Sequence, residues 1–217
     1  MISIRSTVVA AFMGLAFTWT ATAQVNFGLA GGLAGSATKE GLAGYTATGF
    51  GRSASYGGGG GYRFRNGLIV DGRFEQLQMR LSEDGADMGS LRLRPAVITV
   101  GYQGIPAKGR GFSGHAYVGG GVAFSSFRKG NAITALERQY GGQMVVETKS
   151  APALIVGAGI DYFLSPRVSL TSDFRFVGAN VGTSWAAVGP GGRAALPFEK
   201  FFVSNGQVVG GMKFWLK

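Results

Sequence analysis

The chain has 217 residues with 39 Gly, 16 Phe, no Cys and a formal net charge of +10. Absence of cysteine excludes a disulfide framework, and a lone histidine excludes a multi-histidine metal centre. The basic balance is compatible with nucleic acid or with an anionic membrane surface, and the pattern along the chain decides between them.

Residues 1–23 read as an export signal. Arg5 supplies the positive start, Val8 to Phe17 a short apolar run, and Ala21-Thr22-Ala23 a cleavage motif. The run is shorter than the ~20 apolar residues a spanning helix needs. The expected division is therefore 1–23 signal peptide and 24–217 a single β-barrel domain. An exported chain makes anionic lipid or lipopolysaccharide a better partner for the basic charge than nucleic acid.

Strand signals follow. Successive side chains of a strand point to opposite faces, so apolar residues at every second position mark one oily side. Val25, Phe27, Leu29 and Leu33 alternate with Asn26, Gly28, Ala30 and Gly32. Residues 37–53 read as a loop. Ser55 to Arg65 places Tyr56, Tyr62 and Phe64 against Arg63 and Arg65, and Asn66-Gly67 is a hairpin signal. Leu68, Val70 and Phe74 oppose Asp71, Arg73 and Glu75, after which Leu77, Met79 and Leu81 take over as the apolar set. Such a change of phase predicts a β-bulge. Residues 82–89 read as an acidic loop. From Leu91 to Gln103 the apolar set changes again around Pro95, which predicts a second slip. Residues 104–113 read as a basic turn.

Ala116 to Phe127 sets Val118, Val122 and Phe124 against Tyr117, Gly119 and Gly121, and 128–150 reads as a polar loop. Pro152 to Val177 forms the clearest hairpin, with Leu164 to Arg167 as its turn. Leu154, Val156, Ala158, Ile160, Tyr162 and Leu164 share a face, as do Val168, Leu170, Phe174 and Phe176; Asp161, Asp173 and Arg175 lie opposite. Residues 181–199 read as another loop. The last strand starts near Phe201 and sets Met212, Phe214 and Leu216 against Lys213 and Trp215.

The pattern is all-β: about eight amphipathic strands with short turns alternating with longer loops. A soluble barrel turns its oily face inward and would bury these charges without water. A transmembrane barrel turns the oily face to lipid and keeps small and charged residues in the lumen. The aromatics Tyr62, Phe64, Tyr102, Tyr162 and Phe214 fall near strand ends, where a membrane girdle belongs. The expected fold is an eight-stranded antiparallel up-and-down transmembrane β-barrel following a cleaved signal peptide. The short turns at Asn66-Gly67 and Ser165-Pro166 are expected to face the periplasm.

Arg94-Pro95 through Tyr102, then His115 to Phe127, then Gly157-Ala-Gly-Ile-Asp-Tyr-Phe-Leu164 before a short turn and strand, resemble the outer-membrane protein W (OmpW) family in order and spacing. The resemblance covers about residues 90–217, and the last of these motifs is shared with OmpA-like eight-stranded barrels. It departs at the C-terminus, where such barrels end on an aromatic and this chain ends Leu216-Lys217. The resemblance implies a bacterial outer-membrane location and help for small hydrophobic molecules crossing the lipopolysaccharide layer.

Arg63, Asp71, Arg73, Glu75, Asp161, Asp173, Arg175 and Lys213 all point to the expected lumen. They are the candidates for a lumen-filling ion-pair layer or a gate. The Gly57 to Gly61 run lacks the Gly-Lys-Ser/Thr and the helix of a phosphate loop, and fits a crowded lumen. His115 is placed at the interface or the lumen mouth. No catalytic constellation, metal site or cofactor motif is read, so an enzyme is not expected. The rival reading is a structural or adhesive surface barrel that binds envelope or host partners through its outer loops.

Overall fold

The computed structural model describes residues 24–37, 52–83, 86–104, 106, 109–195 and 199–216. The predicted signal peptide, most of the 37–53 loop and part of 104–113 lie outside the described residues.

Eight strands close a barrel: β1 (Gln24–Ala37), β2 (Arg52–Arg63), β3 (Leu68–Glu83), β4 (Ala86–Gln103), β5 (Gly111–Lys129), β7 (Ala151–Ser165), β8 (Val168–Gly189) and β10 (Glu199–Leu216). Each pairs antiparallel with the next, and β10 returns to β1 through Val25↔Leu216 to Ala37↔Ser204. Closure leaves no sheet edge to solvate, the condition a sheet must meet to cross lipid. Three further elements sit at the long-loop end: helix α1 (Asn131–Tyr140), β6 (Gln143–Lys149) and β9 (Gly192–Ala195).

The exterior is apolar through the lower part of the wall. Leu29, Leu154, Val156, Phe174, Phe176 and Val208 are all at least half exposed there, with Leu29 at 74%. The β7–β8 hairpin obeys this rule, since Ile160, Tyr162 and Leu170 face out while Asp161, Thr171, Asp173 and Arg175 are buried inside. Apolar side chains on the outside of a closed barrel, with charges within, are arranged for lipid.

The two predicted slips are absent. The register from Leu68↔Tyr102 to Leu81↔Gly89 is continuous, and β4 pairs β5 without interruption past Pro95. The only shift in that hairpin lies at Leu81/Ser82. Ile69, Asp71, Glu75, Leu77 and Met79 are all buried on one inward face, as are Leu91, Leu93, Val97 and Thr99. What changes is the surroundings rather than the phase. Above Phe74 and Ala96 the exterior becomes Gln76, Gln78, Arg92 and Arg94, and the interior becomes apolar.

The long-loop half is thus a water-facing barrel with its own core. Leu77, Leu93, Val181, Val203 and Trp185 pack there, with Phe127 edge-on to Trp185 at 5.3 Å. Each such side chain contributes about 1.5–3 kcal/mol on burial.

The segments read as loops at 128–150 and 181–199 are largely ordered. β8 runs to Gly189, turns into β9, and takes β6 as a partner from Gln143↔Val188 to Lys149↔Gly182. Helix α1 leaves β5 at Gly130, whose N–H donates to Met88 O (3.0 Å). A Cβ at Gly130 would lie 2.2 Å from Asp87 O, so this crossing requires glycine. The helix buries Ile133 completely in the upper core and stops at Gly141, whose left-handed φ of 63° suits a helix end.

At the other end the connections are tight. Gly67 N donates to Phe64 O (3.0 Å) and Phe64 N to Leu68 O (2.8 Å), with Gly67 at φ 87°. The turn therefore spans Arg65-Asn66-Gly67, a three-residue loop closed by a left-handed glycine, rather than a two-residue Asn-Gly turn.

Candidate functional site

The lumen below the apolar core holds a layer of charged side chains. β3 contributes Asp71, Arg73 and Glu75 on one face. The β7–β8 hairpin contributes Asp161, Asp173 and Arg175, and β10 contributes Lys213. Each strand delivers them at alternate positions, so all point inward.

Their contacts run across the lumen. Arg73 lies 3.6 Å from Asp71 and 3.6 Å from Asp173, with its guanidinium 3.8 Å over the Tyr117 ring. Arg175 lies 3.1 Å from Glu75 and 3.8 Å from Asp173, and its Nε donates to Gln207 Oε1 (3.0 Å). Lys213 lies 3.0 Å from Asp161, whose other oxygen accepts from Gln103 Nε2 (2.7 Å). Asn26 Nδ2 donates to Asp71 Oδ1 (3.0 Å). Buried charges persist only when so paired.

Arg63 stands apart at the short-turn end. Its guanidinium lies 4.3 Å from the Trp215 ring centre and 5.3 Å from that of Phe163, and it bonds Gln24. Trp215 Nε1 in turn donates to Ser169 Oγ (3.0 Å). Arg63 is thus a cation held on aromatic faces beneath the layer, outside the ion-pair cluster.

His115 belongs to the layer and was missed. It is not at the interface: its side chain is fully buried, with Nδ1 2.7 Å from Asp161 and Nε2 against Asp173. One signal could have found it. His115 shares strand parity with Tyr117, Gly119 and Gly121, the face already read as inward.

Glycine makes room for these side chains. Gly57, Gly59 and Gly61 of β2 lie beside Glu75, Arg73 and Asp71 of β3. A Cβ at Gly61 would sit 2.4 Å from Asp71 Oδ1, and one at Gly159 would sit 2.8 Å from His115 Nε2. The Gly57–Gly61 run is therefore a lumen surface shaped by its charged neighbours. Beside it lies a cavity of about 50 Å³ lined by Asn26, Gly59, Asp71, Arg73, Glu75 and Thr171.

The side chains of the layer are buried and paired across the lumen. Among the described residues no group of three or more His, Cys, Asp or Glu is arranged to hold a metal ion.

A closed eight-stranded barrel with a lipid-facing apolar belt is now established by its own geometry. The fold is that of an eight-stranded outer-membrane barrel. The crystal structure of OprG from Pseudomonas aeruginosa matches with a TM-score of 0.57 at 16% identity, covering 90% of this chain and 96% of that one. Neisserial surface protein A matches with a TM-score of 0.54 at 12% identity, covering 88% and 96%. The Escherichia coli outer membrane protein W aligns over 88% of this chain and 97% of its own, at 12% identity and a TM-score of 0.43. No protein-family model matches the sequence, and no curated protein matches it.

Proposed function

We propose that this chain works in the bacterial outer membrane, with its short turns in the periplasm, and helps small hydrophobic molecules through the lipopolysaccharide layer. The observation that carries the reading is the change of lumen character along the strands. An apolar interior around Trp185, Leu77, Leu93 and Phe127 stands directly above the closed layer of Asp161, Asp173, Arg73 and Arg175. An apolar solute entering from outside meets packed apolar side chains that must part to admit it, and then a floor it cannot cross.

The exit is sideways. Backbone pairing of β5 with β7 ends at Ala123↔Ala151. Above that point β5 and β6 are joined by side chains: Ser125 Oγ donates to Lys149 O (3.0 Å) and Thr148 Oγ1 to Ser125 O (2.7 Å). Side-chain bonds of this kind, each worth about 0.5–1.5 kcal/mol, hold this seam in place of a backbone ladder. Seven of the lumen candidates, all but Arg63, act in this reading as a fixed floor.

The test is uptake of an apolar solute into liposomes carrying the folded barrel. Uptake faster than into protein-free vesicles is expected, and a Ser125→Cys/Thr148→Cys cross-link should abolish the gain. Equal uptake with and without protein would overturn the transport reading.

A surface-binding role is the second reading. It is favoured by the ordered extension of β6, α1, β8 and β9 beyond the belt. Replacing the exposed positions of α1 and the 190–191 tip should abolish binding to an envelope or host partner. Deleting 128–150 outright would not discriminate, because that segment carries β6 and Ile133.

A further inference from the structure

The outward positions of the barrel strands whose side chains are described carry four charges, and all four are arginines: Arg80, Arg92, Arg94 and Arg128. They lie on the adjoining strands β3, β4 and β5. Arg94 is opposite Phe124, Arg92 is flanked by Gln78 and Ser126, and Arg80 and Arg128 flank Ser90. The outward positions of these strands hold no carboxylate among the described residues. Like charges on neighbouring strands repel, and the outward carboxylate of the adjoining β6, Glu147, faces Arg193 at 4.0 Å, so the grouping calls for an anion from outside the chain.

Height fixes which anion. Arg94 and Arg92 stand eight and ten residues above the exposed Tyr102 on β4. At ~3.4 Å per residue and ~40° of tilt, that is about 21 and 26 Å, against a hydrophobic band of about 25 Å. The guanidinium groups therefore reach the level where hydrocarbon gives way to headgroups. Beside and below them Phe74, Ile98, Val122 and Phe124 are 42–52% exposed. The patch is also ordered. Arg94 Nε donates to Gln76 Oε1 (3.2 Å), and Gln76 bonds Tyr56 on β2. That leaves the two Nη groups of Arg94 with no partner among the described residues, and guanidinium forks match phosphate oxygens in pairs.

We propose that Arg80, Arg92, Arg94 and Arg128 bind the phosphate groups of the lipid A portion of lipopolysaccharide, whose acyl chains lie on the apolar wall below. The site needs an amphiphile with several phosphates, which zwitterionic lipid does not supply. It rests on the reading that the long-loop end meets the outer leaflet.

The test uses the folded wild-type chain and the variant R80Q/R92Q/R94Q/R128Q, both checked for heat-modifiable gel mobility. Binding is measured in micelles to fluorescent bisphosphorylated lipid A, to its dephosphorylated form and to soluble inositol hexaphosphate. Wild type should bind bisphosphorylated lipid A at least ten-fold more tightly than the variant, and removing the phosphates should erase the difference. A second variant at the short-turn end, R65Q/R110Q/R167Q, should leave binding unchanged. Equal binding by wild type and the four-arginine variant overturns the proposal. So does inositol hexaphosphate binding as tightly as lipid A, because that makes the patch a soluble-polyanion site. Surface labelling of a tag at 190–191 in intact cells tests orientation separately, so its failure would be told apart from failure of the site.

Discussion

Asp161 and Asp173 occupy similar depths in the lumen, yet their loss should not cost the same. Asp161 is the carboxylate facing Lys213 (3.0 Å), and Lys213 has no second carboxylate partner among the described residues. Asp161→Asn leaves that ammonium in the lumen without a carboxylate in contact, and it also weakens the bonds from Gln103 and His115. Breaking a buried pair in this way costs about 3–5 kcal/mol. Asp173 meets Arg73, Arg175 and His115, but each of these keeps another carboxylate: Asp71, Glu75 and Asp161 respectively. Asp173→Asn should cost less, about 1–3 kcal/mol, the range for a buried hydrogen-bonding group left imperfectly partnered. The assay is urea unfolding of the barrel in lipid vesicles, followed by tryptophan fluorescence and gel mobility. Asp161→Asn combined with Lys213→Met should recover most of the loss, because it removes the stranded charge. A larger loss for Asp173→Asn, or a double variant no better than the single, would refute this account of which charges in the layer share partners.

Three further outcomes are expected. Leu154→Arg, at a site 70% exposed in the belt, should lower stability in lipid by about 2–4 kcal/mol, and a neutral result in vesicle unfolding would mean that the wall there does not face hydrocarbon. Gly61→Ala places a Cβ 2.0 Å from Val70 O and should cost about 1–3 kcal/mol, whereas Gly210→Ala, with its nearest atom 4.0 Å away, should be tolerated; equal effects would contradict the packing of the β2 face. Lys129 Nζ (2.6 Å), helped by the Met144 N–H, holds the Glu137 carboxyl below its ordinary range. Its folded value lies below the unfolded one, so the contribution is complete above the ordinary carboxylate range and is lost as pH falls through the folded value. The protection factors of the α1 amides, with the intrinsic pH dependence of exchange divided out, should therefore fall once the pH drops below the ordinary carboxylate range. Unchanged protection would show that the Glu137 contacts do not hold the helix.

The lower half of the barrel was legible in the residues because alternation there has one meaning, lipid outside and polar lumen inside. Leu154 to Leu164 and Val168 to Phe176 fall on their faces as the period of two requires. Higher up the same period persists with the opposite meaning. Leu77 and Met79 continue the inward row of Asp71 and Glu75, but they look like a new apolar face once lipid is replaced by water. A bulge and a change of solvent give the same string of letters, and only the register at Phe74↔Ala96 and Leu77↔Leu93 separates them. Helix α1 escaped for a related reason: one residue, Ile133, is buried, so the segment has no continuous apolar stripe. Of the ion-pair layer, parity alone reached Asp71, Arg73, Glu75, Asp161, Asp173, Arg175 and Lys213. It could not say that Arg63 stacks on Trp215, because a strand pattern carries no information on which cross-lumen side chain it meets.

The reversal of polarity at Phe74 and Ala96 also fixes how deep the barrel can sit. A cylinder with a uniform apolar wall could ride up or down in a bilayer at little cost. Here a downward shift of one row drags Arg94 into hydrocarbon, and an upward shift strips lipid from Tyr102 and Leu68. The protein is therefore pinned vertically, and a bilayer of different thickness must stretch or thin around it at a cost of a fraction of a kcal/mol per ångström. Such a wall acts as a gauge that favours membranes matching its own band and resists displacement by any force directed along the barrel axis.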